Sequence, residues 1–220
     1  MTLLAVSAAA ERLGVTARQV QHLVARGQLR QLARGVVDET SVERLLAVRG
    51  GSHKRAWSEA TAWGAIAILS GAAAAWMGAS QRSRLKARLR TLGAAELVER
   101  ARERADVGRY AGHASTAARI RRELVVTSAS AAALGLAEST TVDGYLATSA
   151  VEAVVARHGF VRDDGGRFTL RATTMDLAVV GDLAERSTVL AALDLAESVD
   201  ARERAAGLDA LDRALAAVRD

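Results

Sequence analysis

Over the first fifty residues apolar positions return at helical spacing and are broken by short polar turns. Ser7 can cap a first short helix over Ala8, Ala9, Ala10, Glu11, Arg12 and Leu13, and Gly14 stops it. Thr16 can cap a second helix, Ala17 to Arg26, with apolar positions Ala17, Val20, Leu23 and Val24 turned to the first helix. Its other side presents Arg18, Gln19, Gln21, His22 and Arg26, long donors and acceptors that suit base edges and phosphates of a major groove. Gly27 ends the helix. Leu29 to Asp38 then predicts a small hairpin with Arg30 and Arg34-Gly35 near its tip, and Thr40 or Ser41 caps a third helix through Val48. Helix, Gly-containing turn and polar second helix predict a helix-turn-helix, with the hairpin as a wing.

Gly50-Gly51-Ser52 marks a joint and a domain boundary near residue 51. Ala60 to Gln81 has no charge for 22 residues, a length that would admit a membrane span. Its alanines and glycines and the Ser70-Gly71 interruption argue instead for a buried helix with Trp57, Trp63, Ile66, Leu69 and Trp76 around it. Ser80 then opens an amphipathic basic helix, with Leu85, Leu89 and Leu92 on one face and Arg82, Arg84, Lys86, Arg88 and Arg90 around them. Such a face is either ordinary solvated surface or an additional contact to phosphate, RNA or an acidic partner, to which Lys54 and Arg55 add charge. Ala94 to Ala105 continues as a helix of mixed signs, the usual solvated pattern.

From residue 107 onward short β-branched runs alternate with helices. Strands are predicted at Val107 to Tyr110, Leu124 to Val126, and Thr141 to Leu146, with helices from Ser115 to Arg122, from Ala129 to Leu134, and over Val151 to Gly159. Phe160 to Arg162 and Arg167 to Ala172, joined by Asp163-Asp164-Gly165-Gly166, predict a hairpin. Two helices, Val189 to Ser198 and Ala201 to Val218, close the region with leucine ridges. The fold class expected is mainly α with an α+β C-terminal part. It comprises a winged helix-turn-helix at 1–50, a basic helical connector at 51–106 and an acidic α+β domain at 107–220.

The segment VSAAAERLGVTARQVQHLVARGQLRQLARGVVDETSVERLL, within residues 3 to 49, resembles the winged helix-turn-helix of the excisionase and MerR class. That resemblance implies that the second helix reads the major groove through Arg18, Gln19 and His22, while Arg30 and Arg34 meet phosphates. The order RYAGH, ELVVTSASAAALGL, VDGYLATSAVEAVVARHGFV, GGRFTLRAT and STVLAALDLAES, over residues 107 to 198, resembles the C-terminal part of AbiEi-like antitoxins of actinobacterial type IV toxin–antitoxin systems. It implies an antitoxin that represses its own operon and counteracts a nucleotidyltransferase-type toxin.

Composition narrows the function. Within the 220 residues there is no cysteine, which removes disulfides, thiolate metal sites and a Cys nucleophile, and aromatics are only 3%, so the core is built from Ala, Leu and Val. A basic leader is missing before Glu11, and a cytoplasmic protein is expected. The net charge of +5 hides an asymmetry: residues 1–122 carry 21 Lys and Arg against 9 Asp and Glu, or +12, and residues 123–220 carry 9 against 16, or −7. The basic half is the one that would face nucleic acid, although arginine abundance can also reflect a GC-rich genome.

Catalytic signatures are missing: no phosphate loop, no GxSxG, no HExxH, and His22, His53, His113 and His158 lie far apart. Neither an enzyme nor a cofactor or metal is expected. A DNA-binding regulator is, with double-stranded operator DNA and a toxin as partners, homodimeric or cooperative binding because one small unit spans few base pairs, and no membrane. Two alternatives stand beside it: an interaction module that neutralises a partner with secondary DNA contact, and an excisionase-like architectural factor.

Overall fold

A computed structural model describes residues 3–25, 29–49, 55–127, 132, 134, 141–198 and 200–219. The chain is a mixed α+β protein that divides into two compact units, residues 1–53 and 54–220.

In the first unit β1 (Leu3–Ala5) leads into α1 (Val6–Leu13) and α2 (Ala17–Ala25), followed by β2 (Gln31–Ala33), β3 (Val36–Asp38) and α3 (Glu39–Arg49). The strands form an antiparallel sheet in the order β1-β3-β2. β1 had no signal in the residue pattern; it is held by its partner, with Leu3 opposite Asp38 and Ala5 opposite Val36. Ala9, Leu13, Val20, Leu23, Leu29, Val37 and Val42 make the core. Two expected caps move. Ser7 lies inside α1, which starts after Ala5 with no side-chain cap. At α3 the cap is Asp38, whose carboxylate accepts the Thr40 N–H at 3.3 Å, and Ser41 sits in the first turn.

The second unit begins with α4 (Glu59–Leu69), α5 (Ala79–Leu89) and α6 (Ala94–Ala101). A five-stranded sheet follows, built from β4 (Asp106–Ala111), β5 (Val125–Val126), β6 (Val142–Ala147), β7 (Val161–Arg162) and β8 (Phe168–Thr173) in the order β5-β6-β8-β4-β7. α7 (Ala117–Arg121) and α8 (Val151–His158) lie between strands in the chain, and α9 (Leu177–Arg186), α10 (Val189–Ala196) and α11 (Ala201–Arg219) end it. Alternation along the strands splits the unit into two cores. Leu146, Leu170, Phe168 and Tyr110 pack with Ile120 of α7 and Val154 of α8. Tyr145 points the other way, into a larger core with Trp63, Ile66, Leu85, Leu89, Leu97, Leu183, Leu190 and Leu211. The connector expected at 51–106 therefore shares, through its described residues 55–106, one core with the C-terminal helices, and the boundary expected at 106 falls inside that core.

The uncharged run from Ala60 is cut where α4 gives way to the Ser70-Gly71 turn. Eleven residues rise about 16 Å, against the roughly 30 Å of a bilayer core. Among the described residues no helix is long and apolar enough to cross a membrane. Trp57, Trp63 and Ile66 are buried as expected, but Trp76 is exposed, its indole N–H donating to the Ala60 carbonyl at 3.0 Å.

The expected hairpin of 160–172 does not form. β7 and β8 lie on opposite sides of β4, with Arg162 and Phe168 both opposite Tyr110. Asp163 to Gly166 do turn the chain, but across the end of β4: the Asp163 N–H donates to the Arg109 carbonyl at 2.9 Å and the Gly165 N–H to the Asp163 carboxylate at 3.0 Å. A Cβ on Gly166 would fall 2.1 Å from the Tyr110 carbonyl, so glycine is what lets the chain pass there. Turn residues specify a reversal and leave the choice of strand partner open. The parallel pair β6–β8, running from Val142–Phe168 to Ala147–Thr173, sets that choice here. Most of the helix expected at Ala129 to Leu134 lies outside the described residues. The residue pattern predicts no helix where α9 forms, although Asp176 caps it by accepting the Ala178 N–H at 2.9 Å.

Candidate nucleic-acid interface

The turn between α1 and α2 is built as the residues suggest. Gly14 adopts a left-handed conformation, φ 63°, that glycine reaches without steric cost, and its N–H returns to the carbonyls of Ala10 and Glu11. Two residues on, the Thr16 hydroxyl accepts the Gln19 N–H at 3.2 Å and its carbonyl accepts the Val20 N–H at 3.0 Å. α2 therefore starts at a fixed angle, with Val20 and Leu23 buried. Arg18, Gln21 and His22 then share one exposed row at i, i+3, i+4 spacing, with Gln19 beside it and Thr16 exposed at its start. Ala17, expected in the buried stripe, is exposed as well.

The hairpin is anchored through its backbone. The Arg30 N–H donates to the Ser41 hydroxyl at 3.1 Å, the Arg30 carbonyl accepts the Asp38 N–H at 2.8 Å, and the Ser41 hydroxyl donates to the Asp38 carbonyl at 2.7 Å. At the tip the Gly35 carbonyl accepts the Val6 N–H at 2.9 Å. These bonds hold the main chain while the Arg30 and Arg34 side chains extend into solvent. Arg12 differs: it pairs with Glu39 at 2.6 Å and Glu43 at 2.9 Å, tying α1 to α3. Arg26 and Lys54 lie outside the described residues.

In the second unit the basic helix α5 forms with Leu85 and Leu89 buried on its apolar face, and Leu92, also expected on that face, is buried just beyond its end. It starts after Gly78, whose N–H donates to the Gln81 side chain at 3.1 Å, rather than after Ser80. The five cations divide by task. Arg82 folds back onto the carbonyls of Ala74 and Met77 and closes the 70–78 loop. Arg90 donates to the Val218 carbonyl at 3.2 Å. Arg84, Lys86 and Arg88 are exposed, as is Arg55.

A third polar cluster has no counterpart in the local residue pattern. Arg104, expected on a solvated helix, is 1% exposed. Its guanidinium donates to the Tyr145 hydroxyl at 2.9 Å, Asp194 at 2.8 Å and Glu197 at 2.7 and 2.9 Å. Arg171 grips Asp143 through two bonds of 2.7 and 2.9 Å and reaches Glu197 at 2.8 Å. Asp194 accepts from the Tyr145 hydroxyl at 2.5 Å and from the Thr127 hydroxyl at 3.1 Å. Burial opposes both guanidinium charges, but Glu197 and Asp194 beside Arg104, and Asp143 and Asp194 beside Arg171, outweigh it and raise both well above the ordinary arginine range. Burial also pushes Glu197 up, yet Arg104 and Arg171 hold it below the usual carboxylate value. Burial raises the Tyr145 hydroxyl well above its ordinary range, which keeps it a proton donor. With these groups satisfied by one another, the cluster is a structural joint between β6, β8 and α10. One signal was present: Asp194 is the lone charge in the apolar run VLAALDLA.

Among the described residues no group of His, Asp or Glu side chains that could hold a metal ion occurs. His158 is buried, with Nε2 3.0 Å from Glu123 and its ring stacked on Phe160. His53 lies outside the described residues. No protein family, curated protein or solved structure matches the chain.

Proposed function

We propose that this protein is a sequence-specific DNA-binding transcriptional regulator whose residues 3–49 act as a winged helix-turn-helix. The observation that carries this reading is the solvent-facing row of Arg18, Gln21 and His22 on α2, none of them paired with another described side chain. A helix held by a tight turn, with its polar side free and a cationic hairpin beside it in the sequence, has the parts that major-groove readers use. In this reading α2 contacts base edges and Arg30 and Arg34 contact phosphates. Its mechanism is binding rather than chemistry. Since one such unit covers few base pairs, operator recognition requires a dimer or cooperative neighbours.

The likeness of residues 107–198 to AbiEi-like antitoxins supports a finer proposal. The protein represses its own operon in the cytoplasm and counteracts a nucleotidyltransferase-type toxin. Fluorescence anisotropy on the protein's own upstream DNA and on a scrambled duplex of equal length, at two salt concentrations, tests the first step. The expected result is a preference for the upstream duplex that survives the higher salt. Arg18→Ala with His22→Ala removes that preference, a drop of about tenfold or more given ~1–3 kcal/mol per base contact. Equal affinity for both duplexes in the unaltered protein would sink the regulator reading and favour the interaction module.

A further inference from the structure

We infer that the outer face of α5 is a second, sequence-independent contact to the phosphate backbone of double-stranded DNA. This inference rests on the DNA-binding reading of the first unit and deepens it. Between Glu59 and Glu96 the chain carries five cations and no acid. On the helix, Arg84 and Arg88 form one row a turn apart, about 6 Å of rise, while Lys86 lies on the opposite flank. Between these rows runs an exposed strip of small side chains, Ser80, Ser83 and Ala87, over which a sugar-phosphate strand can come close to the helix.

These cations are not equally engaged. Arg82 and Arg90 are bound to main-chain carbonyls, whereas the Lys86 and Arg88 side chains have no partner among the described residues and Arg84 has only the Ser80 carbonyl of its own helix, at 3.3 Å. Asp212, on the neighbouring α11, accepts the Ala94 N–H at 3.1 Å. The next helix, α6, differs in carrying acids among its cations, with Glu96 and Arg100 paired at 2.6 Å. α5 keeps the single sign that concentrates a polyanion. Its leucines fix it to the core, so the cations are presented on a rigid element and not on a tail.

The test uses the full chain with Arg84→Ala, Lys86→Ala and Arg88→Ala combined, measured by anisotropy on the upstream and the scrambled duplex across a salt series. Each phosphate no longer neutralised should reduce the slope of log affinity against log salt by about 0.9, so the triple variant should be shallower by about 2 to 3. Both duplexes should weaken equally, with their affinity ratio unchanged. Arg84→Lys with Arg88→Lys should retain the slope, and thermal melting should be unaltered, since the three side chains are exposed. An unchanged slope on both duplexes overturns the inference, as does an unchanged slope accompanied by loss of an acidic protein partner. If the unaltered protein binds both duplexes equally and the triple variant still flattens the slope, the operator reading fails and the α5 contact stands. A salt-stable preference with no effect of the triple variant gives the reverse.

Discussion

Arg18, Arg30 and Arg34 of the first unit and Arg104 and Arg171 of the second stand in opposite environments. In the first, Arg18, Arg30 and Arg34 stand in solvent, and the short aliphatic core beneath them asks nothing of their charge. In the second, Arg104 and Arg171 are almost fully buried and are bonded to Asp143, Tyr145, Asp194 and Glu197. An arginine offered to a ligand is unpaired and carried on a fixed backbone; an arginine used for structure is satisfied before any ligand arrives. The abundance of arginine says nothing of which is meant. Burial and pairing decide it.

The sharpest way to break this contrast is to truncate one arginine of each kind. Arg104→Ala leaves two carboxylates and a phenol buried with only Arg171 to meet them, and should destabilise the protein by about 3 kcal/mol or more in urea unfolding. Arg18→Ala should change unfolding by less than about 0.5 kcal/mol. Equal effects would show that Arg104 is not the joint described.

Acid should act on the second unit first. Glu197 has a folded pKa below its unfolded one, so its contribution is present above the ordinary carboxylate pKa and is lost as pH falls through the lowered folded value. A stability profile read by thermal melting should therefore decline on the acid side, and Glu197→Gln should flatten that decline while lowering stability at neutral pH. A parallel acid profile in the variant would assign the loss to other carboxylates. Breaking an ion pair of the first unit should have a small effect. Arg12→Ala breaks exposed pairs with Glu39 and Glu43 and should cost about 0–1 kcal/mol, less as salt is added.

Much of the candidate interface was legible because it is local. The Gly14 turn, the Thr16 cap, the buried Val20 and Leu23, and the exposed Arg18, Gln19, Gln21 and His22 all follow from spacing within a dozen residues. Helical periodicity also placed the apolar face of α5 and the last two helices, α10 and α11. Caps were less secure, since Ser7, Thr40, Ser41 and Ser80 compete with Asp38 and Gly78 for the same role, and packing chooses among them.

By itself the sequence determined the mixed α+β class, the two-helix turn, the basic face of α5 and the break in the uncharged run, because each depends on neighbours a few residues apart. Tertiary structure alone decided that β7 and β8 flank β4, that residues 55–106 share the C-terminal core, and that Arg104 and Arg171 are buried against Asp194 and Glu197. Arg104 and Glu197 are 93 positions apart, and Arg90 meets Val218 across 128. Local periodicity carries no information at that range; strand pairing and the desolvation of paired charges set such contacts only once the sheet and its covering helices have assembled.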